Sequence, residues 1–277
     1  RVELLPLSGA ELASAGLLPQ SLDELMLQGG YPALYDRQVS ADDWFASYVA
    51  TYLERDVRQL IAVRDLSLFQ RFVRMCAARS GQLLNLNALA ADCGISAVTA
   101  RQWLSVLETS YLVTTIAPYH RNFGKRLIKS PKLYFLDVGL MAWLLGIRDA
   151  QTLGVHSQRG ELFETWVVSE MMKARFNQGQ HSDVFFWRDS LGIEVDVVFE
   201  RLVGGQPKLI PIEIKSGSTF ASDWLRPIQK WQAIANQTDP QTSAEPIIIY
   251  GGEGDHARER CRLIGWRAFA SQVAQSD

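Results

Sequence analysis

Two apolar segments near the end of the chain carry acidic and basic side chains at a spacing of two residues. In IEVDVVFE (193–200) the odd positions are apolar, whereas the even positions include Asp196. In KLIPIEIKS (208–216) isoleucines occupy the even positions, which leaves Glu213 and Lys215 on the opposite side. Side chains alternate between the two faces of a strand, so each segment is predicted to bury one face and to present charges on the other. If the two strands pair, Asp196, Glu213 and Lys215 converge on one point.

Two carboxylates beside a lysine suit the metal-assisted hydrolysis of a phosphodiester. Mg²⁺, or Mn²⁺ in its place, is usually held by one or two carboxylates together with waters and a substrate phosphate. We expect Asp196 and Glu213 to bind the metal, which would lower the pKa of the attacking water. Lys215 would orient this water or stabilise the charge of the transition state, so all three residues are expected to be catalytic. The alternative is a solvated strand face, on which a Glu and a Lys two positions apart are common.

The segment RGELFETWVVSEMMK (159–173) offers a further carboxylate on a predicted helix. Glu164 lies at the margin of its apolar face, and we expect it to be the third metal ligand, directly or through water. Glu170 lies near the middle of that face, where a carboxylate is costly to bury unless a metal, a cation or a donor meets it. Glu170 is therefore the alternative ligand, or else a structural residue that pairs with a cation such as Arg188.

These segments belong to an alternation of helices and strands in the last third of the chain. The order predicts an α/β domain with a mixed sheet over residues 156–277. The predicted helices cover about 159–176 and 224–236, and the predicted strands cover 184–189, 193–200, 208–216 and 246–250.

The middle of the chain, residues 41–155, is predicted to be a helical and winged-helix domain. Helix, turn, helix and a two-stranded wing follow one another in the order of that fold, although a three-helix unit with a hairpin would give the same pattern. Residues 1–40 are predicted to form a connector. The predicted helices are 41–64, 66–79, 86–91 and a helix that Ser96 begins after a turn at Gly94, and the β-rich stretches are 111–118 and 132–136.

Cations in this middle part are the candidates for contact with phosphate. The segment HRNFGKRLIKSPK (120–132) contains no acidic residue, and in a winged helix it lies at or beside the wing. A solvated loop, or a patch that docks on an acidic domain, is the alternative. We expect nucleic acid to contact the cations of this segment and one on the predicted recognition helix, namely Arg101, Arg121, Lys125, Arg126, Lys129 and Lys132.

The composition limits other functions. The 277 residues are 47% hydrophobic and carry a formal net charge of −2, which excludes a uniformly basic nucleic-acid coat. The three cysteines and four histidines show no ligand spacing, so zinc is not expected and the thiols are predicted to be buried. No apolar run approaches membrane-spanning length, so we expect no membrane partner. Because the chain begins with Arg1 and has no signal peptide, we expect a fragment of a longer cytoplasmic protein.

Several strings resemble one family in combination. The chain is similar, over nearly its whole length, to the bacterial and archaeal AAA-type P-loop ATPases that end in the region called domain of unknown function 4143. The strings that carry this resemblance are GGYP (29–32), TYLERDVRQL (51–60), RSGQLLNLNALAADCGIS (79–96), LETSYLV (107–113), KSPKLYFLDVGL (129–140), GELFETWVVSE (160–170), FFWRD (185–189), EVDVVFE (194–200) and PIEIKSG (211–217).

The resemblance implies an N-terminal ATPase, then a winged helix, then a PD-(D/E)xK nuclease-like domain of the restriction-endonuclease type. RVELLPLSGAEL (1–12) is similar to the tail of the ATPase module, and the chain lacks the motif G-x-x-x-x-G-K-[ST]. ATP would therefore bind only in a part that precedes these residues. Asp196, Glu213 and Lys215 match the nuclease positions.

This resemblance and the residues together predict the C-terminal effector region of such an ATPase. Its expected partners are nucleic acid and its own ATPase domain, and its expected activity is Mg²⁺-dependent hydrolysis. One alternative is a nuclease-like scaffold that binds DNA without cleaving it. Another is an arm that binds other proteins.

Overall fold

The computed structural model describes residues 4–37, 39–52, 65–119, 128–180, 183–238 and 243–273. The described chain is a mixed α/β protein that forms two compact units. Unit 1 takes its residues from 1–7, 17–115 and 132–169, and unit 2 takes its residues from 8–16, 116–131 and 170–277. The three-part division drawn from the sequence stays a prediction.

In the last third of the chain, helices and strands alternate in the order that the sequence predicts. In chain order they are α1 (Gly9–Ser14), α2 (Leu22–Gln28), α3 (Ala33–Asp36), α4 (Ala41–Tyr48), α5 (Leu66–Ala77), α6 (Leu86–Cys93), α7 (Ala97–Thr109), β1 (Val113–Ile116), β2 (Lys132–Phe135), α8 (Val138–Leu144), α9 (Ala150–Val155), α10 (Arg159–Asn177), β3 (Phe185–Arg188), β4 (Glu194–Val203), β5 (Gln206–Lys215), a 3₁₀ turn (Ser222–Leu225), α11 (Arg226–Thr238), β6 (Ile247–Tyr250), β7 (Asp255–Arg258), β8 (Cys261–Gly265) and α12 (Trp266–Gln272).

In unit 1 the predicted helix, turn and helix are confirmed as α6 and α7. Gly94 ends α6 in the left-handed region at φ 72°, where a residue without a Cβ is least strained. Ser96 begins α7, since its side chain accepts a hydrogen bond from the N–H of Thr99 at 3.0 Å. The ring of Trp103 packs edge-on against Phe69 of α5 and so fastens α7 to the core.

Unit 2 contains the predicted mixed sheet, with strand order β3-β4-β5-β6-β8-β7. The neighbours β3, β4 and β5 are antiparallel, whereas β5, β6 and β8 are parallel. The β4–β5 hairpin turns at Gly204 and Gly205, whose φ angles of 60° and 79° belong to the two-residue turns that follow the twist of paired strands. Helix α11 packs on one face through Trp231, which clusters with Val198 and Leu209.

Some elements differ from the prediction. The predicted helix over 41–64 is described as α4 followed by a wider π-helical turn at 49–52, and the remainder of that range lies outside the described residues. Strands β7 and β8 and helix α12 were not predicted. Strand β7 is exposed at all four positions and shows no apolar alternation. Within the parts of the chain that the structure describes, no helix is long and apolar enough to span a membrane.

Candidate active site

The β4–β5 hairpin brings the predicted acids and lysine to one stretch of the sheet. The register pairs Val203 with Gln206 and continues to Val197 and Ile212, which confirms that the two segments pair. One step further along β4, Asp196 Oδ2 accepts a hydrogen bond from the N–H of Ile214 at 2.8 Å. This hydrogen bond holds the Asp196 carboxylate next to the backbone of Ile214, the residue between Glu213 and Lys215.

Glu213 and Lys215 form an ion pair on β5. Their Oε1 and Nζ atoms are 2.7 Å apart, and the side chains are 4% and 35% exposed respectively. The two residues stand in register with Ile248 and Tyr250 of the parallel strand β6. The Glu213 carboxylate is thus nearly buried, where its charge depends on the partners around it, whereas Lys215 extends towards solvent.

The strand alternation places this pair on the face predicted from the sequence. Leu209 is four residues before Glu213 and so lies on the same face of β5, where it belongs to the cluster under α11. Ile212 instead lines a cavity on the opposite face. Ile212 and Glu213 therefore lie on opposite faces of β5, as predicted, but the face that carries Glu213 is not solvated, because every position from 209 to 214 is buried.

Charged residues at the turn between β3 and β4 also have defined partners. Arg188 forms an ion pair with Glu194 at 2.7 Å. The carboxylate of Asp189 accepts hydrogen bonds from the N–H groups of Leu191 and Ile193, each at 2.9 Å, and so shapes the turn. Arg188 is therefore the partner of Glu194 and not of Glu170.

Glu170 has a structural environment. Its side chain is 1% exposed, and its Oε1 lies 2.6 Å from Nζ of Lys173, which is 3% exposed. Its Oε2 accepts a hydrogen bond of 2.6 Å from the N–H of Gly9. The cation and the donor that a carboxylate needs on an apolar helix face are thus both present, which favours the structural interpretation over metal binding.

Glu164, the expected third ligand, lies in unit 1 with partners of its own. Its Oε1 accepts hydrogen bonds from Nζ of Lys132 at 2.9 Å and from the hydroxyl of Tyr134 at 2.6 Å. Among the described residues, no group of three or more His, Cys, Asp and Glu side chains could hold a metal ion. Glu164 belongs to unit 1, whereas Asp196 and Glu213 belong to unit 2, so the expected set of three ligands stays a prediction.

The expected nucleic-acid contacts divide into three groups. Arg101 on α7 and Lys129 are exposed, as the prediction requires. Lys132 begins β2, but its side chain is 3% exposed and paired with Glu164, so it lacks the exposure that the predicted contact requires. The other three expected contacts, Arg121, Lys125 and Arg126, lie outside the described residues.

Sequence reasoning missed the partners of the two helix carboxylates. Lys173 follows Glu170 at the three-residue spacing that places side chains side by side on a helix, and this spacing was the available signal. Tyr134 and Lys132 alternate on β2, but no local pattern connects them with Glu164. Such a long-range pairing is visible only in the folded chain.

Comparisons with known proteins place two family matches along the chain. Residues 19–151 match the model of a domain of unknown function, DUF8612, and residues 159–269 match that of another, DUF4143.

The chain is also similar to two mycobacterial proteins. Uncharacterized protein Rv2008c of Mycobacterium tuberculosis and Uncharacterized protein Mb2031c of Mycobacterium bovis are each 32% identical to it over 221 residues. This similarity covers 79% of the chain and 48% of each relative, so the chain spans about half the length of the curated relatives that it matches. No solved structure matches it to a significant degree. The resemblance seen in the sequence is thus confirmed for one region, since residues 159–269 carry a match to DUF4143.

Proposed function

We propose that the chain is the C-terminal effector region of an AAA-type ATPase, in which unit 2 hydrolyses phosphodiester bonds with Mg²⁺ and the helical and winged-helix region, residues 41–155, binds nucleic acid. The sequence of α10, three antiparallel strands, α11 and a parallel strand supports a PD-(D/E)xK fold for unit 2. The sequence of α5, α6, α7 and the β1–β2 sheet supports a winged helix in unit 1. An isolated antiparallel bridge from Leu83 to Lys132 adds a third short strand position to that sheet.

The observation that carries this proposal is the position of the Asp196 carboxylate. It accepts a hydrogen bond from the backbone N–H of Ile214, the residue between Glu213 and Lys215, which form an ion pair with each other. Because β5 is a central strand with neighbours on both sides, the acids on it are held in fixed positions. Preorganised charges of this kind are what phosphoryl chemistry requires.

The donor set fits a hard divalent cation. Asp196 and Glu213 offer only oxygen, which Mg²⁺ prefers, and one or two protein carboxylates are usual for this ion. When bound, the metal would neutralise phosphate charge and lower the pKa of a bound water. Lys215 holds one oxygen of Glu213 and, being about one third exposed, could also reach a phosphate oxygen. Its ammonium would then stabilise negative charge as the bond to the leaving group breaks.

A titration with Mn²⁺ tests the metal site without knowledge of the substrate. By calorimetry we expect the unaltered chain to bind the ion, and Asp196→Asn or Glu213→Gln to weaken binding at least about tenfold, which is about 1.4 kcal/mol. Glu194→Gln is the matched control, because Glu194 is an acid of the same strand whose partner is Arg188. Equal affinity of the unaltered chain and both site variants would exclude this pair of ligands.

A second candidate function is binding of nucleic acid without cleavage. It is favoured by the ion pair of Lys215 with Glu213, which already neutralises one of the two candidate ligands. In this case the nuclease-like fold would be a scaffold, and Mn²⁺ would not bind to Asp196 and Glu213.

Both candidate functions predict salt-dependent binding of nucleic acid through the expected helical and winged-helix region, residues 41–155. We expect Arg101→Ala combined with Lys129→Ala to weaken binding of short DNA or RNA duplexes. The slope of log affinity against log salt should fall by about one for each phosphate contact removed. Fluorescence anisotropy at several salt concentrations measures this slope. Lys230→Ala, an exposed cation on α11, is the control and should leave the slope unchanged. An unchanged slope in the double variant would contradict the predicted interface.

A further inference from the structure

Two half-buried aromatic side chains lie beside the candidate active site of unit 2. Phe220 precedes the 3₁₀ turn and Trp224 lies within it, and their ring centroids are 5.9 Å apart at an angle of 82°. Both rings pack against a buried cluster that includes Tyr250 of β6. Tyr250 stands in register with Lys215 of β5, and side chains in register on neighbouring strands share a face of the sheet. The aromatic pair therefore lies on the sheet face that carries Lys215.

The ring of Trp224 also approaches the backbone just after β5. A Cβ added at Gly217 would lie 3.3 Å from Cζ2 and 3.6 Å from Cη2 of Trp224. Gly217 follows Lys215 by two residues, so the Cα atoms of these two residues are at most about 7.6 Å apart. A nucleotide whose phosphate contacts Lys215 could therefore place its base on the ring of Trp224.

An exposed arginine accompanies the aromatic pair. Arg258 of β7 holds its guanidinium over the ring of Phe220, with Cζ 5.4 Å from the ring centroid. A guanidinium is also a good donor to phosphate oxygens. Half-exposed rings beside a cation are the combination with which proteins bind single-stranded nucleic acid, since bases stack on the rings and the cation contacts the backbone. Because Arg258 already covers Phe220, Trp224 is the ring on which we expect a base to stack.

We propose that Trp224 stacks on an unpaired base next to the phosphate at Lys215, so that the substrate of unit 2 is single-stranded nucleic acid. This inference rests on the hydrolytic function proposed above and names its substrate class. Bases within a duplex stack on one another, whereas an unpaired base can offer its face to a side chain. Every base has such a face, so stacking on Trp224 selects unpaired strands without selecting a sequence.

Fluorescence anisotropy with labelled oligonucleotides tests this inference, in EDTA so that no metal-dependent cleavage occurs. The probes are a thymidine strand of about twelve nucleotides, which is within the usual site size for single strands, and an abasic strand of the same length. We expect the unaltered chain to bind the thymidine strand at least about fivefold more tightly, because only this strand has bases to stack. Trp224→Leu, which stays apolar but has no ring, should lose most of this preference, and Trp224→Phe should retain it. Trp224→Leu should not alter the affinity for a duplex, whose bases are paired.

Trp143→Leu is the matched control, since Trp143 is also half-buried and also has an arginine over its ring. This variant should keep the preference for the thymidine strand, and the melting temperature of each variant shows whether it is folded. Equal binding of both strands by the unaltered chain, or an undiminished preference in Trp224→Leu, would overturn the inference and leave the metal site as proposed. If Mn²⁺ fails to bind while the preference depends on Trp224, the hydrolytic function fails instead, and Trp224 remains a binding residue for single strands.

Discussion

Replacing Asp196 by asparagine should reduce Mg²⁺-dependent cleavage of nucleic acid by at least about a thousandfold, which corresponds to about 4 kcal/mol of transition-state stabilisation. The amide oxygen of asparagine can still accept the hydrogen bond from the N–H of Ile214, so the hairpin should keep its geometry. The variant lacks the negative charge that holds a divalent cation, and the metal supplies several kcal/mol in such reactions. Single- and double-stranded DNA and RNA, end-labelled and incubated with Mg²⁺ or Mn²⁺, provide the measurement.

Two further variants make this result specific. Glu194→Gln removes an acid two positions away on the same strand and should retain cleavage. Lys215→Met should lose cleavage while Mn²⁺ still binds, because Lys215 is expected to act on the phosphate. Cleavage at the full rate by Asp196→Asn would show that the activity belongs to another site.

Replacing Glu170 by alanine should lower the free energy of unfolding of unit 2 by about 3–5 kcal/mol, since it leaves the buried ammonium of Lys173 without its counter-charge. The same change removes the acceptor for the N–H of Gly9, which the structure places 2.6 Å from Glu170 Oε2. Denaturant unfolding followed by tryptophan fluorescence measures the loss. Hydrogen exchange at the Gly9 amide should accelerate, because that amide loses its acceptor.

The matched control is an exposed ion pair in the same unit. Glu253→Ala removes the partner of Arg267, and because these side chains are 61% and 33% exposed the change should alter stability by less than about 1 kcal/mol. The double variant Glu170→Met with Lys173→Met should recover most of the loss, since it removes both buried charges together. A stability of Glu170→Ala equal to that of Glu253→Ala would contradict the role assigned to the buried pair.

The hairpin and the helix-turn-helix were predictable because local patterns determine them. Alternation along β4 and β5 fixes which side chains share a face, and Asp196, Glu213 and Lys215 follow from it. Gly94 and Ser96 likewise mark a left-handed turn and a helix start through their own chemistry. These signals act over a few residues, so no knowledge of distant contacts is needed.

Contacts between distant segments were not predictable in the same way. Lys132 belongs to a run of cations, and nothing near it in the sequence shows that Glu164, 32 residues away, neutralises it in the interior. The partners of Glu170 include the backbone of Gly9, which is 161 residues away. The short strand β7 is fully exposed and pairs at the edge of the sheet, so it carries no apolar alternation.

The contact of α1 with the end of the chain has a consequence for the order of folding. A helix of six residues is too short to be stable alone in water, so α1 depends on its neighbours. A Cβ added at Gly9 would lie 2.8 Å from the Cβ of Ala270, which shows how closely α12 covers it. Residues 170 and 270 leave the ribosome long after residues 9–14. Helix α1 is therefore expected to become stable only after α12 has been synthesised, and a nascent chain halted before α12 should leave α1 accessible to proteases.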